Sequence, residues 1–268
     1  MVEGKATTTA PLVLEVWKDG AKICEKEMPL SVDGAEKFYR WINLRGVAGG
    51  GVDRATDTSE PANYPDSYCN DKQFIFVHGY SVHEEAARAW NAEMFKRLYQ
   101  SGSRAMFTAV TWRGNDSQLA DWIPFVGGST PDYYANVEHA FETASNLVST
   151  INASVPGTKY IAGHSLGNMV VSSAIKDQGL SVNTYFMFNA AVSLEAYDAT
   201  FDNRNVIRHP DWQNYTNHHL WASDWHQLFP TNDGRGKLTW RGKFNTMSSG
   251  INYYSSTEDV LNNEQRFS

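Results

Sequence analysis

One segment of the sequence has the residue types and spacing of a catalytic nucleophile. Gly163, Ser165 and Gly167 form a Gly-x-Ser-x-Gly pattern between a short apolar run and a second apolar run with helical spacing. A serine on a tight strand-to-helix turn presents its hydroxyl at the sheet edge, and the glycines let neighbouring backbone come close. Amides at the helix start favour a developing negative charge. The pattern predicts acyl transfer by Ser165, with a purely structural turn as the alternative.

Apolar runs and helical patterns alternate along the chain on both sides of this turn. We predict a strand buried on both faces at residues 74–77 and further strands at 105–112, 160–162, 184–192 and 251–255. Helical spacing predicts helices that end near Gly102, at Pro156-Gly157 and at Gly179. Such alternation is typical of an α/β fold, in which a mostly parallel sheet carries helices on both faces.

Local signals predict where several shorter elements begin. Ser81 and Glu84 have the spacing of a capping box for a helix that would bury Ala86, Trp90, Met94 and Leu98. Thr130 followed by Pro131 predicts the cap and first residue of the next long helix. The run from Ala35 to Leu44 predicts a short helix, with one apolar face made by Phe38, Trp41 and Ile42.

The N-terminal part has the pattern of a β-hairpin. Apolar runs at residues 11–17 and 23–30 flank Asp19-Gly20, a dipeptide that favours the positive φ angles of a type I′ turn. An isolated hairpin is marginal in water, so we expect it to pack on the main domain or on a neighbouring module. We therefore divide the chain into a hairpin extension at 1–34 and a main domain at 35–268.

Composition narrows the class of protein. The 268 residues carry a net charge of −7, which disfavours nucleic acid and acidic membranes as partners. The sequence has no apolar run long enough for a transmembrane helix, and residues 1–10 lack the apolar core of a signal peptide, so the cellular location stays open. Cys24 and Cys69 could form a disulfide or remain thiols, and no metal-ligand spacing is present. We expect no cofactor or metal.

The order of these parts resembles the α/β-hydrolase family over roughly residues 70–260. A strand ending in His78-Gly79 comes first, then a helix, a strand, a helix and the serine turn, and a late strand precedes an acidic residue. Gly-His-Ser-Leu-Gly is similar to the lipase, esterase and thioesterase branch. The resemblance implies a serine hydrolase acting on carboxylic esters. A thioesterase or acyltransferase, and a non-catalytic binding module of the same fold, are the alternatives.

The resemblance also implies roles for individual residues. Ser165 would be the nucleophile, and the backbone N–H groups of Leu166 and Tyr80 would form the oxyanion hole. His78 would shape the loop before Tyr80, and the side chain of His164 would point away from the site. The acid would be Asp259, with Glu258, Glu195 and Asp198 as alternatives.

The sequence departs from the family pattern at the catalytic base. The family's histidine follows the acid, whereas no histidine follows Asp259 in this chain. We therefore expect the fold to be C-terminally incomplete, with a companion C-terminal fragment that carries the histidine and the final strand. The alternative is a base from the segment before the last strand, at His209, His218, His219 or His226.

Two aromatic segments are predicted to surround the substrate. Trp122 and Phe125, with Ile123 and Val126, follow a strand at the sheet edge and would line an acyl pocket. Ordinary packing under a loop is the alternative interpretation. The stretch 193–244, which includes Trp221 and Trp225 at helical spacing, would form a cap over the same edge.

Overall fold

A computed structural model of the protein describes residues 7–119, 129–131, 133–192 and 249–255. The strands are β1 (Leu12–Lys18), β2 (Ala21–Met28), β3 (Arg40–Asn43), β4 (Lys72–Val77), β5 (Met106–Thr111), β6 (Ser117–Leu119), β7 (Ser129–Pro131), β8 (Thr158–His164), β9 (Thr184–Phe188) and β10 (Ser249–Tyr253). The helices are α1 (Glu84–Gln100), α2 (Tyr133–Ser154) and α3 (Gly167–Lys176), and three short 3-10 helices lie at Ala35–Phe38, Arg45–Ala48 and Asp66–Tyr68.

Six strands form the main sheet in the order β10-β9-β8-β4-β5-β3. Every neighbouring pair in this sheet is parallel. The predicted α/β fold with a mostly parallel sheet is confirmed, and all five predicted strands belong to it. Because the strands are parallel, the residues that follow β4, β8, β9 and β10 all emerge at one edge of the sheet.

Helices cover both faces of this sheet. Side chains of β4 alternate between two apolar clusters, with Ile75 and Val77 on the face covered by α2 and α3, and Phe76 on the face covered by α1. The apolar stripe predicted for α2 packs into the first cluster. The predicted face of α1 packs against the second cluster at Ala86, Met94 and Leu98, whereas Trp90 is exposed. The most deeply buried residues of the helix are Ala87, Asn91 and Phe95.

The prediction of a helix from Ala35 to Leu44 is wrong. A single 3-10 turn is followed by β3, which pairs with β5 and supplies the last strand of the sheet. Trp41 and Ile42 are fully buried in opposite clusters, one on each face of the sheet. A strand buried on both faces is apolar without alternation, which is why its pattern resembled a helix.

The predicted capping box at the start of α1 is also wrong. Ser81 has a φ of 57° and its N–H donates to the carbonyl of Gly114 at 2.6 Å, so it belongs to the preceding loop. His83 is the N-cap instead, and its Nδ1 accepts the N–H of Ala86 at 3.4 Å. Glu84 is consequently the first residue of the helix rather than its third.

The start of α2 differs from the prediction as well. Pro131 ends β7, where it lies opposite Ser117 of β6, and the helix begins at Tyr133. Proline has no N–H to donate and is tolerated in such a two-stranded ribbon. The helix ends are as predicted, since Gly102 and Gly179 follow α1 and α3 with φ angles of 87° and 72°.

The N-terminal hairpin has its predicted turn. Asp19 and Gly20 have φ angles of 50° and 79°, and β1 pairs with β2 in antiparallel register. Every residue of both strands is exposed, including Leu14 and Trp17, so the hairpin does not pack on the described part of the main domain. Both Cys24 and Cys69 are free thiols. No described helix is long and apolar enough to cross a membrane.

Candidate active site

Ser165 lies on the turn between β8 and α3 with a φ of 47°. A non-glycine residue holds this left-handed conformation only where its surroundings fix it. The N–H of Ser165 donates to the carbonyl of Phe188 at 2.9 Å, and its own carbonyl accepts from the N–H groups of Asn168 at 3.0 Å and Ala191 at 3.2 Å. The end of β9 and the first turn of α3 therefore hold the serine backbone from both sides.

Both glycines of the motif are required by close backbone contacts. A β-carbon on Gly163 would lie 2.8 Å from Oδ1 and 3.0 Å from Cα of Asn168. A β-carbon on Gly167 would lie 2.3 Å from the carbonyl oxygen of His78 and 2.7 Å from that of Val77. These contacts bring the start of α3 onto the end of β4, as the sequence pattern requires.

A buried hydrogen-bond network under the turn was missed by sequence reasoning. Asn168 Nδ2 donates to the carbonyl of Ser165 at 2.9 Å, and Asn168 Oδ1 accepts the hydroxyl of Tyr185 at 2.8 Å. The hydroxyl oxygens of Tyr185 and Ser172 lie 3.3 Å apart. All three side chains are fully buried. The signal in the sequence was a single asparagine at the start of an otherwise apolar helical run.

The loop that follows β4 lies directly against the serine. A β-carbon on Gly79 would be 3.0 Å from Cβ of Ser165 and 2.9 Å from both Nδ1 and the carbonyl oxygen of His164. Only a glycine allows this approach. In the described part of the chain, the N–H of Leu166 donates to no acceptor. The backbone of Gly79 and the start of α3 therefore meet at Ser165.

His78 is fully buried and both of its ring nitrogens are engaged by neighbouring groups, so it is not available as a catalytic base. Its Nδ1 lies 2.9 Å from the carbonyl oxygen of Gly79, and its Nε2 accepts the N–H of Trp112 at 3.3 Å. The indole N–H of Trp112 also donates to the carbonyl of His78 at 2.8 Å. Burial lowers the pKa of His78 from 6.5 to about 3, against a smaller opposing effect of the hydrogen bond to Gly79.

The other described histidines are engaged elsewhere. The ring of His164 lies 5.1 Å from that of Trp90, and His83 caps α1. On α2, His139 Nδ1 lies 3.2 Å from the carbonyl oxygen of Arg113. Within the described residues, no imidazole is hydrogen-bonded to Ser165.

Hydrogen bonds connect the residue after β9 to the end of β10 beside the turn that holds Ser165. Asn189 has a φ of 43°, its N–H donates to the carbonyl of Tyr253 at 2.8 Å, and its Oδ1 accepts the N–H of Ser255 at 2.9 Å. These bonds hold the residues at the end of β10, up to Ser255, beside the end of β9. Asp259 comes four residues after Ser255 and lies outside the described residues.

Several other predicted site residues also lie outside the described part of the chain. They are the alternative acids Glu258, Glu195 and Asp198, the alternative bases His209, His218, His219 and His226, and the predicted pocket residues Trp122 and Phe125. Among the described residues, no group of three or more histidine, cysteine or carboxylate side chains is placed to hold a metal ion.

Comparison with known protein families identifies the family to which the chain belongs. Residues 74–263 match the alpha/beta hydrolase family, which is more than half of the chain, and the protein belongs to that family. The predicted resemblance is thereby confirmed. No curated protein matches the sequence. One similar solved structure is the 2.75 Å crystal structure of an uncharacterized protein from Bacillus cereus ATCC 10987, with 15% identity and a TM-score of 0.28. That match covers 52% of this chain and 37% of the other.

Proposed function

We propose that this protein is a serine hydrolase that cleaves carboxylic esters through an acyl-enzyme on Ser165. The observation that carries the proposal is the left-handed backbone of Ser165 between β8 and α3, with the backbone of Gly79 packed against its β-carbon. In the proposed reaction, Ser165 Oγ attacks the carbonyl carbon of the ester and the alcohol leaves. Water then attacks the acyl-enzyme and releases the acid.

The proposed oxyanion hole consists of the N–H groups of Leu166 and Tyr80. Leu166 is the N-cap of α3, where peptide dipoles favour negative charge, and its N–H donates to no acceptor in the described chain. Tyr80 follows Gly79, whose backbone lies against Ser165. Loss of one such donor typically costs about 2.7–4 kcal/mol of transition-state stabilisation.

The proposed acid is Asp259, which would orient an imidazole that takes the proton of Ser165. The hydrogen bonds that tie Tyr253 and Ser255, at the end of β10, to Asn189 support this assignment over Glu195 and Asp198. The imidazole has two possible sources, a companion fragment or the four histidines between residues 201 and 248. Intact-mass analysis of active protein separates them, because only the first requires a second polypeptide.

The residues proposed to bind the substrate follow strands that end at the same edge of the sheet. Trp122 and Phe125 follow β5 and are proposed to line the acyl pocket, and residues 193–244 follow β9 and are proposed to form the cap. If Trp122→Ala and Phe125→Ala leave the preference among C2 to C8 acyl esters unchanged, this part of the proposal is wrong.

A thioesterase or acyltransferase would use the same nucleophile and the same oxyanion donors, so substrate comparison has to distinguish it from an esterase. A non-catalytic member of the fold is the third possibility, and it is favoured by the fact that no imidazole among the described residues is hydrogen-bonded to Ser165. The strained backbone of Ser165 and the close approach of Gly79 favour catalysis instead.

The test is hydrolysis of p-nitrophenyl acetate and of a matching acyl thioester by the wild type, Ser165→Ala and Ser181→Ala. Ser181 is an exposed serine on the segment between α3 and β9, so its variant serves as the control. We expect ester cleavage to be lost only in Ser165→Ala. Activity of that variant equal to the wild type would rule out the nucleophile, and faster turnover of the thioester would favour the thioesterase.

A further inference from the structure

Arg45 is a fully buried arginine at the start of the 3-10 helix after β3. Its Nε–H donates to the hydroxyl oxygen of Thr111 at 2.9 Å, and its Nη1 donates to Oδ1 of Asn115 at 2.8 Å. Its Nη2 donates to the carbonyl of Val82. One guanidinium thus contacts both the end of β5 and the loop between β4 and α1.

Neutral acceptors surround this charge more closely than any carboxylate of the described residues does. The nearest described carboxylate oxygen is Glu84 Oε1, which lies 3.7 Å from Nη1 and belongs to a half-buried side chain. Replacing a buried ion pair by apolar side chains of similar volume is often neutral or stabilising. A stabilising role in the core therefore does not account for an arginine at this position, whereas its directional donors do.

The hydrogen-bond partners of Thr111 and His78 determine where the hydroxyl proton of Thr111 and the ring proton of His78 lie. The N–H of Trp112 donates to His78 Nε2, so Nε2 carries no proton in the neutral ring. Because Nε2 carries no proton, the hydroxyl of Thr111, which accepts from Arg45, donates to Nε2, 3.1 Å away. The ring proton lies on Nδ1 and is donated to the carbonyl of Gly79 at 2.9 Å.

The carbonyl of Gly79 belongs to the same peptide unit as the N–H of Tyr80. No cis peptide occurs in the described chain, and in a trans peptide the C=O and the N–H point in opposite directions. A fixed Gly79 carbonyl therefore fixes the direction of the Tyr80 N–H, which points away from the His78 ring. Arg45 also holds the far end of this loop through the carbonyl of Val82.

We propose that Arg45 is a positioning residue for the oxyanion hole, acting through Thr111 and His78 on the Gly79–Tyr80 peptide. The inference rests on the proposed function, in which the Tyr80 N–H receives the negative charge of the transition state. Arg45 touches no substrate atom. Its effect is to keep one donor aimed before the substrate arrives, which lowers the barrier without tightening ground-state binding.

The test removes the hydroxyl group that links Arg45 to His78 and keeps the size of the side chain. Thr111→Val replaces a fully buried hydroxyl by a methyl group of similar size, and Thr111→Ser keeps the hydroxyl as the matched control. We expect Thr111→Val to lower kcat for p-nitrophenyl acetate by about tenfold or more, with KM within about twofold of the wild type, because only transition-state contacts are lost. Thr111→Ser should retain kcat. A folded Thr111→Val with wild-type kcat would overturn the proposal.

A second measurement does not depend on activity. Nitrogen-15 NMR of the wild type should show His78 with its proton on Nδ1, and Arg45→Lys should change the Nδ1 and Nε2 shifts. If the wild-type His78 ring carries its proton on Nε2, the proposed chain of hydrogen bonds from Arg45 through Thr111 to His78 is wrong, even if Thr111→Val fails to fold. A wild type that neither hydrolyses esters nor reacts with a fluorophosphonate would refute the proposed function, whereas the tautomer result would stand by itself.

Discussion

Gly167 and His78 are in such close contact that a β-carbon on the glycine would lie 2.3 Å from the carbonyl oxygen of the histidine. This contact places the first turn of α3 on the end of β4. The proposed nucleophile and the proposed oxyanion loop are consequently parts of one packed unit. Substitutions in this unit should affect the proposed activity more than they affect the rest of the fold.

Gly167→Ala should push the first turn of α3 away from the end of β4. The new methyl group cannot fit against backbone carbonyls, which do not yield as a flexible side chain would. We expect the free energy of unfolding to fall by about 1–3 kcal/mol, as for overpacked cores, and ester hydrolysis to fall at least tenfold. Gly34→Ala is the control, because its β-carbon would meet only the Glu36 side chain at 3.6 Å or more. Equal losses in the two variants would contradict the contact.

Tyr185→Phe should weaken the support of the serine turn. It removes the hydroxyl that donates to Asn168 Oδ1 and leaves a buried acceptor unpaired. Such a group typically costs about 1–3 kcal/mol, so urea unfolding should show a loss of that size. Tyr68→Phe, at a side chain that is 62% exposed, should leave the free energy of unfolding within about 0.5 kcal/mol of the wild type. A Tyr185→Phe variant as stable as Tyr68→Phe would refute the supporting role.

His78 should make stability fall in mild acid. Burial lowers its pKa to about 3 in the folded protein, against an ordinary value of 6.5 in the unfolded chain. Between these values the unfolded chain binds a proton that the folded protein does not. The free energy of unfolding should therefore decrease as the pH falls below 6.5, by about 1.4 kcal/mol per pH unit from this group.

Urea unfolding at pH 6.5 and 5.0 of the wild type and His78→Gln measures this effect. The wild type should lose about 2 kcal/mol more than the variant over this interval. An NMR titration of the His78 ring in the wild type checks the same claim without a variant. A titration midpoint above pH 5 would contradict it.

Asn189 should matter for the segment that carries Asp259. Asn189→Gly keeps the left-handed backbone, where φ is 43°, but removes the oxygen that accepts the N–H of Ser255. We expect this variant to lose about tenfold in kcat, because an acid held less firmly orients the base less well. Asn189→Asp retains an acceptor and should lose less. If both variants keep wild-type kcat, the link between Asn189 and the proposed acid is wrong.

The sequence located strands and turns correctly where a local residue pattern matched the position of the element in the sheet. Continuous apolar runs located β4, β5, β8 and β9, and the glycine spacing located the turn at Ser165. The strand β3 was mistaken for a helix because Trp41 and Ile42 are buried on opposite faces, which removes the period of two. The start of α1 was misplaced because a tertiary bond from Ser81 to Gly114 competes with capping.

The contacts between the supporting residues of the candidate site could not be found from the sequence, although His78 itself was predicted to shape the loop before Tyr80. Arg45, Thr111 and His78 are distant in the chain, and only the parallel pairing of β3, β5 and β4 brings them together. The same holds for Asn168 and Tyr185, which come from α3 and β9. Hydrogen bonds between side chains on different elements leave no periodic signal, whereas a tight turn constrains residues that are adjacent in sequence.

The most direct measurement of the central claim is intact mass after treatment with a fluorophosphonate, followed by peptide mapping. The wild type and Ser181→Ala should each gain one phosphonyl group on the peptide that contains Ser165, and Ser165→Ala should gain none. Circular dichroism of the three proteins establishes that they are equally folded. A wild type that stays unlabelled, or a phosphonyl group on Ser165→Ala, would contradict the assignment of Ser165 as the nucleophile.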